Sequence, residues 1–417
     1  MPKTSSGAER TLRRIPARTI VGAIADAAER WTDADFPPRV RATAAIEERL
    51  GYTMPVVDYA LDRLFGGLTE AVLTAAIARE LGSLAALDGF APREGLPAAW
   101  ARGVERATIV SSDTTIGVAI APLAYALCAK SRVTVKDRSD ALVAAFAETL
   151  GEALPALRDA IEVHRWTGGD ASVEDVALGG ADVVVAFGRP DALRAIRAAC
   201  APETTFVPFG HRASAGYVDR ASLDRDADLL AAAIARDALL YDGDGCLSLH
   251  LLFVEGGDAP ALARFVRVLA DACDAAAIEF PAGTRDATRA AQAAAYAATA
   301  AFRAANGSGS VRRAADGAWS IVVDAPHDEL PPFGAGTIPL VVVGGVADAA
   351  AYVERHALPL QAIGVPPGIG DDAAGELAAR LGAVRVAALG ELQAPPLGGH
   401  HGGRARIADF VRWIDRA

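Results

Sequence analysis

Cysteine is scarce in this chain, and its four copies, Cys128, Cys200, Cys246 and Cys273, show neither CxxC spacing nor alternation with histidine. That argues against a disulfide scaffold and gives no zinc-site pattern. A reducing, cytoplasmic setting is the expectation. Basic charge is also in deficit, with Lys+Arg 41 against Asp+Glu 52 and a formal net charge of -11. Nucleic-acid binding needs a basic field, so no nucleic acid partner is expected. A local basic patch for a phosphorylated cofactor stays compatible with that balance. Long hydrophobic runs are missing too. Hydrophobic residues make up 52% of the chain, yet Arg, Asp and Glu interrupt the alanine-rich tracts at helical spacing. No stretch reaches the roughly 18 uninterrupted apolar residues of a membrane span, so none is expected. No basic segment leads into an apolar run, so no signal peptide is expected, and residues 10–18 read as a solvated arm. GxGxxG is absent, so any dinucleotide must be held by a sparser arrangement.

What is present is an ordinary globular composition, 22% charged, in 417 residues. At roughly 100–200 residues per domain that predicts two or three domains. Residues 19–100 read as mostly helical, with apolar positions at three- and four-residue spacing over 19–30, 39–50, 55–65 and 68–87. From Val104 the pattern changes to short β-prone runs, 104–111, 132–136, 161–165, 182–187 and 204–207, with helices over 119–129, 140–150 and 190–200 between them. This alternation is the signature of βαβ units around a mainly parallel sheet. A second such unit follows, with strands over 251–255, 319–324, 338–343, 361–365 and 384–386. Its helices are expected over 224–240, 259–276, 285–305, 348–356 and 371–381. The fold class is therefore α/β, two α/β lobes with a helical N-terminal lead-in. The expected division is a lead-in over 1–100, a nucleotide-cofactor domain over 101–221, a domain carrying the chemistry over 222–390 and a C-terminal loop and helix over 391–417. A ligand cleft is expected between the lobes.

Cys246 stands out by its setting. A helix runs to Leu240, the turn Tyr241-Asp242-Gly243-Asp244-Gly245-Cys246 follows, and an apolar run begins at Leu249. Two glycines and two aspartates mark a tight turn, and backbone N–H groups there can hold a thiolate and donate to a developing oxyanion. Cys128, Cys200 and Cys273 lie on alanine-rich helical faces or a helix end and read as packing. His250 follows four residues after Cys246, and His211 comes just past a strand end, a common place for a site residue in open α/β sheets. Each is a candidate partner, against the plainer reading of a structural or surface histidine. Lys136 ends a strand and offers a cation to a phosphate or ribose. In Phe187-Gly188-Arg189-Pro190 the glycine permits close backbone approach and the proline opens a helix, whose N-terminus suits a pyrophosphate. Phe410 and Trp413 read as one packed face of a last helix. The adjacent His400 and His401 have no further ligand at metal spacing, so no metal is expected.

These features resemble the aldehyde dehydrogenase superfamily, and within it the long-chain acyl-CoA reductase branch, the fatty acid reductases of bacterial bioluminescence systems and their relatives. The resemblance is carried in order by residues 132–140 (RVTVKDRSD), 205–218 (TFVPFGHRASAGYV), 243–255 (GDGCLSLHLLFVE) and 395–414 (PPLGGHHGGRARIADFVRWI), and more loosely by 19–90. It implies Cys246 as nucleophile; His211 or His250, by position and by histidine's titration near neutral pH, is the candidate to manage protons. It implies Lys136, Arg138 and Ser139 at the cofactor's adenosine ribose or 2′-phosphate, and Gly188 and Arg189 near its pyrophosphate. Ser139 stands where NAD-preferring members often carry a glutamate, which favours NADPH, with NADH as the alternative. The implied substrate is a long-chain acyl-CoA or other acyl thioester, reduced to the aldehyde, and a homo-oligomer is implied as well. The superfamily's water-activating glutamate has no counterpart in Pro208-Phe209-Gly210-His211. Ser112-Asp113-Thr114-Thr115 stands where an oxyanion asparagine is usual, and Pro332-Phe333-Gly334 only echoes the segment that clasps the nicotinamide ribose. Two alternatives stay open: an NAD(P)-dependent enzyme of a small aldehyde or of the acylating direction, and a non-catalytic interaction subunit.

Overall fold

The structure, a computed structural model, describes residues 12–112, 115–137, 141–256, 259–324 and 330–416. The chain separates into two units: Met1–Leu50, Val57–Gly210 and Pro396–Ala417 form the first, and Gly51–Val56 with His211–Pro395 form the second. The expected lead-in and the expected C-terminal piece thus fall largely with the first unit's sheet.

The first unit begins with the helices Ala17–Arg30, Pro37–Leu50, Met54–Gly66 from Val57 on, and Glu70–Leu81. Trp31 anchors them: its ring stacks on Phe65 at 4.8 Å, and its indole N–H donates to Thr149 Oγ1 at 3.1 Å. The stretch to residue 100, read as helical, instead ends in two strands, β1 (Ala91–Arg93) and β2 (Leu96–Gly103). Five parallel strands follow: β3 (Arg106–Val110), β4 (Arg132–Lys136), β5 (Ile161–His164), β6 (Val183–Phe187) and β7 (Thr205–Phe209). They lie in the order β5-β4-β3-β6-β7. The chain therefore winds outward one way from β3, then returns to wind the other way. That reversal leaves a crevice at the carboxyl ends of β3 and β6, where open α/β sheets hold ligands. β6 is buried along its whole length, and so is the helix Ile120–Cys128, which explains their unbroken apolar sequences.

The second unit is built on seven strands: β8 (Ala213–Val218), β9 (Leu249–Glu255), β10 (Ser310–Arg313), β11 (Ser320–Asp324), β12 (Thr337–Val343), β13 (Leu360–Val365) and β14 (Val386–Ala388). The order is β10-β11-β12-β9-β8-β13-β14, and β10 pairs antiparallel with β11 at one edge. The long helices Arg220–Leu239, Ala259–Glu279 and Ala287–Ala305 belong to this unit. Its core joins Leu230, Ile234, Leu252, Phe265, Leu269 and Ile321. β8 has the weakest strand sequence, Ala-Ser-Ala-Gly-Tyr-Val, yet every residue of it is buried. A side chain at Gly216 would press on Leu249, Leu252 and Leu389, so the bare backbone lets three leucines close over the strand.

The chain's last element is a correction. Residues 411–415 are not helical but form β15 (Val411–Asp415), antiparallel to β2, and Trp413 and Ile414 are partly exposed on it. Five residues are too few to separate a helical from a strand period; pairing with β2 decides. The preceding loop is pinned by Glu80, whose carboxylate accepts from the backbone N–H groups of Arg406, Ile407 and Ala408.

Candidate active site

Cys246 lies on the connection between the helix Arg220–Leu239 and β9, and it is exposed, whereas Cys128 and Cys273 are buried and Cys200 is intermediate. The turn before it is strained. Tyr241, Asp242 and Gly243 are all left-handed, at φ 59°, 54° and 72°. Such a conformation costs about 1–2 kcal/mol for each residue carrying a Cβ, so the surroundings must over-determine it. They do. Arg285 grips the Asp242 carboxylate with two nitrogens, at 2.6 and 2.7 Å, and Arg289 pairs with Asp244 at 2.7 Å. The Tyr52 ring meets Tyr241 edge-on at 6.0 Å. Burial pushes both aspartates up, and the two arginines oppose that, so the turn keeps its charges only while these pairs hold. Gly334 touches the turn from another side. A side chain there would strike Asp244, which explains a glycine at φ 86°.

Beyond the turn, Ser248 holds Gly245 at both ends. The Ser248 Oγ accepts from the Gly245 N–H at 3.0 Å, and the Ser248 N–H donates to the Gly245 carbonyl at 2.9 Å. Ser214 Oγ donates to the Cys246 carbonyl at 2.8 Å. Surrounding protein pushes the Cys246 thiol up, while its own backbone N–H and the charge of Arg212 pull it down. The amide that would face a forming oxyanion is therefore already on the side of the sulfur.

His250, expected as a proton handler, is 5% exposed and committed to the backbone. The Ser214 N–H donates to its Nδ1 at 3.1 Å, the Gly243 backbone also engages the ring, and Phe333 packs on it at 4.8 Å. Burial lowers its pKa to about 4, so at neutral pH it is an uncharged brace of the turn. His211 is exposed in the connection between β7 and β8. A cavity of about 460 Å³ lies between the helix Ala287–Ala305 and Leu330 and Pro332, one residue before the Phe333 that covers His250.

The cofactor candidates belong to the first unit. Lys136 ends β4 and is buried, its Nζ 4.5 Å above the Trp166 ring and 3.9 Å from Glu174. The Glu174 carboxylate is held by the Trp166 indole N–H and the Gly169 N–H, both at 3.2 Å. Gly188 follows β6; a side chain there would make only ordinary contact with Ala192, so space does not demand a glycine. Arg189 is exposed, pairs with Asp191 at 3.2 Å, and precedes Pro190 at the start of a helix. Ser112 lies past the end of β3. Arg138, Ser139, Asp113 and Thr114 lie outside the described residues. Sequence reasoning missed Trp166, Glu174, Arg212, Ser214, Ser248, Arg285, Arg289 and Gln393. Of these only Glu174 gave a signal, three residues into a short helix beside a tryptophan, and it was too weak to use.

Among the described residues, no group of three or more His, Cys, Asp or Glu is placed to hold a metal, and no helix is long and apolar enough to cross a membrane. The fold is similar to that of a benzaldehyde dehydrogenase, NAD-dependent, from Corynebacterium glutamicum, at TM-score 0.69 and 16% identity over 98% of this chain and 88% of that one. It is similar to the glyceraldehyde-3-phosphate dehydrogenase GapN of Methanocaldococcus jannaschii, solved with NADP, at TM-score 0.71 and 10% identity over 97% and 90%. A putative methylmalonate-semialdehyde dehydrogenase from Sinorhizobium meliloti, solved with NAD, matches at TM-score 0.70 and 13% identity over 98% and 87%. No curated protein matches by sequence. The family model described as acyl-CoA reductase (LuxC) matches residues 12–413. The chain therefore belongs to the LuxC acyl-CoA reductase family, on an aldehyde dehydrogenase fold.

Proposed function

We propose that Cys246 is the nucleophile of this acyl-CoA reductase and that its substrate is a long-chain fatty acyl-CoA, converted to the aldehyde at the expense of NADPH. The observation that carries the reading is Cys246 as an exposed residue just past a strained turn that is braced from several sides. The Cys246 thiolate attacks the thioester carbonyl, the backbone N–H of Cys246 steadies the oxyanion, and the CoA thiolate leaves as the acyl–sulfur bond forms. Arg212 favours the thiolate by charge. His211, exposed at the start of the second unit, handles the protons of the departing CoA and of the returning Cys246 thiol. His250 keeps the turn in shape. The lack of a carboxylate in Pro208-Phe209-Gly210-His211 supports reduction over hydrolysis, since the glutamate that activates water in oxidising members of the superfamily has no counterpart there.

The first unit's residues suit a dinucleotide. Ser112, Lys136, Gly188 and Arg189 lie at or just past the carboxyl ends of its strands, two cations and two small groups that suit phosphates and ribose. When bound, the nicotinamide supplies the hydride that frees the aldehyde. Lys136, Arg138 and Ser139 would hold the adenosine ribose or its 2′-phosphate, and Gly188 and Arg189 would face the pyrophosphate. Glu174 is a counterweight to the NADPH preference, because a carboxylate beside Lys136 accepts from ribose hydroxyls and repels a phosphate. The long-chain substrate, the homo-oligomer and the cytoplasmic setting come with the resemblance of the sequence. They are tested by a thioester chain-length panel with both cofactors and by mass in solution.

The direct test is incubation with a long-chain acyl-CoA and no cofactor. An acyl mass on the peptide containing Cys246 is expected; labelling at Cys128, Cys200 or Cys273 instead would overturn the assignment.

A further inference from the structure

Residues 390–393 follow β14 and return to the nucleophile connection about 150 positions away in sequence. Asp237, 1% exposed, anchors this segment by accepting from the N–H groups of Gly390 at 2.6 Å and Leu392 at 3.1 Å. That anchoring delivers the Gln393 side chain, 8% exposed, beneath the turn. Its Nε2 donates to the Leu240 carbonyl at 3.0 Å and to Ser248 Oγ at 2.7 Å. Ser248 is the residue that holds Gly245 by both its N–H and its carbonyl. One hydroxyl lone pair is taken by Gln393 and the other by Gly245, so the amide sets the serine rotamer and the serine sets the backbone. Gln393 Oε1 lies 3.2 Å from where a Gly245 side chain would begin, so the carboxamide also fills the space under that glycine.

We propose that Gln393 is a positioning residue for the nucleophile: acting through the Ser248 hydroxyl, it fixes the Asp244–Gly245 peptide and holds Ser248 where its N–H ties the Gly245 carbonyl, which sets the Gly245–Cys246 peptide and keeps the Cys246 N–H in place for the oxyanion formed beside the sulfur. The substrate needs no contact with Gln393. Ser214 fixes the following peptide through the Cys246 carbonyl, so the cysteine is clamped on both sides and its amide is left for chemistry. This inference rests on Cys246 being the nucleophile.

The test uses the full chain with Gln393→Leu, which keeps volume and loses the donor, with Ser248→Ala, and with the double variant. Two quantities are read: turnover of a long-chain acyl-CoA with NADPH, and the pH profile of Cys246 alkylation by iodoacetamide, followed as mass on its peptide. Each single variant is expected to lose about tenfold to a hundredfold in kcat, as misplaced reacting groups do, with the cofactor KM unmoved. The alkylation profile should move to higher pH. The double variant should be no worse than Gln393→Leu alone, because both changes break one relay. Unchanged kcat and alkylation in the single variants, or losses that multiply in the double, would overturn it. If Gln393→Leu does not fold, Ser248→Ala decides by the same two readings. Alkylation needs no catalysis, so a shifted profile alongside full turnover in Cys246→Ala would refute the nucleophile and leave the clamp standing.

Discussion

Lys136 and Cys246 both stand at the end of a parallel strand, but at different ends and in different company. Lys136 is the last residue of β4, and its ammonium lies by the Trp166 ring and the Glu174 carboxylate. Cys246 precedes β9; the backbone around it is tied by Ser214, Ser248 and His250, Arg285 grips the Asp242 carboxylate of the turn, and Gln393 stands behind Ser248. A cofactor brings many contacts of its own, so a site for it can rest on a few groups at strand ends. A nucleophile has one atom to present, and its amide must be in place before the substrate arrives. The first region should therefore yield to substitution through affinity, and the second through rate and stability.

The largest effect expected is in the second region. Cys246→Ala should lower turnover by at least about 1000-fold, in line with loss of a nucleophile, with fluorescence titration of NADPH nearly unchanged. Near-normal turnover in that variant would dissolve the contrast. Arg285→Ala comes next. It leaves Asp242 in its buried setting without the bidentate partner, a change that costs roughly 3 kcal/mol or more, read as a lower urea midpoint together with lost turnover. A midpoint matching the unmutated chain would show that the turn holds itself.

Acid should act on the same region. The folded-state pKa of His250, about 4, lies below the ordinary histidine value, so the unfolded chain binds the extra proton first. Stability from keeping His250 neutral is complete above about pH 6.5 and is lost as pH falls toward 4, on the order of 3 kcal/mol in total. A His250→Gln chain should be less stable at pH 7 and show a flatter fall in urea midpoint down to pH 5. An equally steep fall would assign the acid sensitivity elsewhere, His401 included, which burial against the Phe209 ring also keeps neutral.

The first region should respond more gently. Lys136→Ala is expected to raise the cofactor KM about tenfold, the worth of one charge-assisted contact, with kcat at saturating cofactor within twofold or so. The smallest effect is expected from Glu174→Gln, a shift of a few-fold in kcat/KM toward NADPH over NADH, as removal of one partly screened like charge allows. A shift toward NADH would place Glu174 away from the 2′-phosphate.

The sequence made the two βαβ units and the Cys246 turn legible, because each rests on local signals: apolar runs of strand length, and Gly and Asp between a helix and a strand. β8 was not legible as a strand. Ala-Ser-Ala-Gly has little strand preference of its own, and the segment pairs because β9 and β13 flank it and leucines cover Gly216. β15 resembled a helix for want of length. The partners of Cys246 were hidden for a different reason. Gln393, Asp237 and Arg285 are ordinary residues on their own elements, and their meaning comes from the groups they reach 43 to 153 positions away.

The pinning of the C-terminal loop by Glu80 has a bearing on how the molecule is made. During synthesis, every residue of the second unit is in the chain before Pro396 is added. The first unit has to wait for the final stretch, since β15 completes its small sheet and Glu80 takes up amides from residues 406–408. Domains generally fold as units while the chain emerges. The half that holds the reactive cysteine has all its residues first, and a chain without residues 396–417 leaves the other half with an empty carboxylate and an uncovered strand.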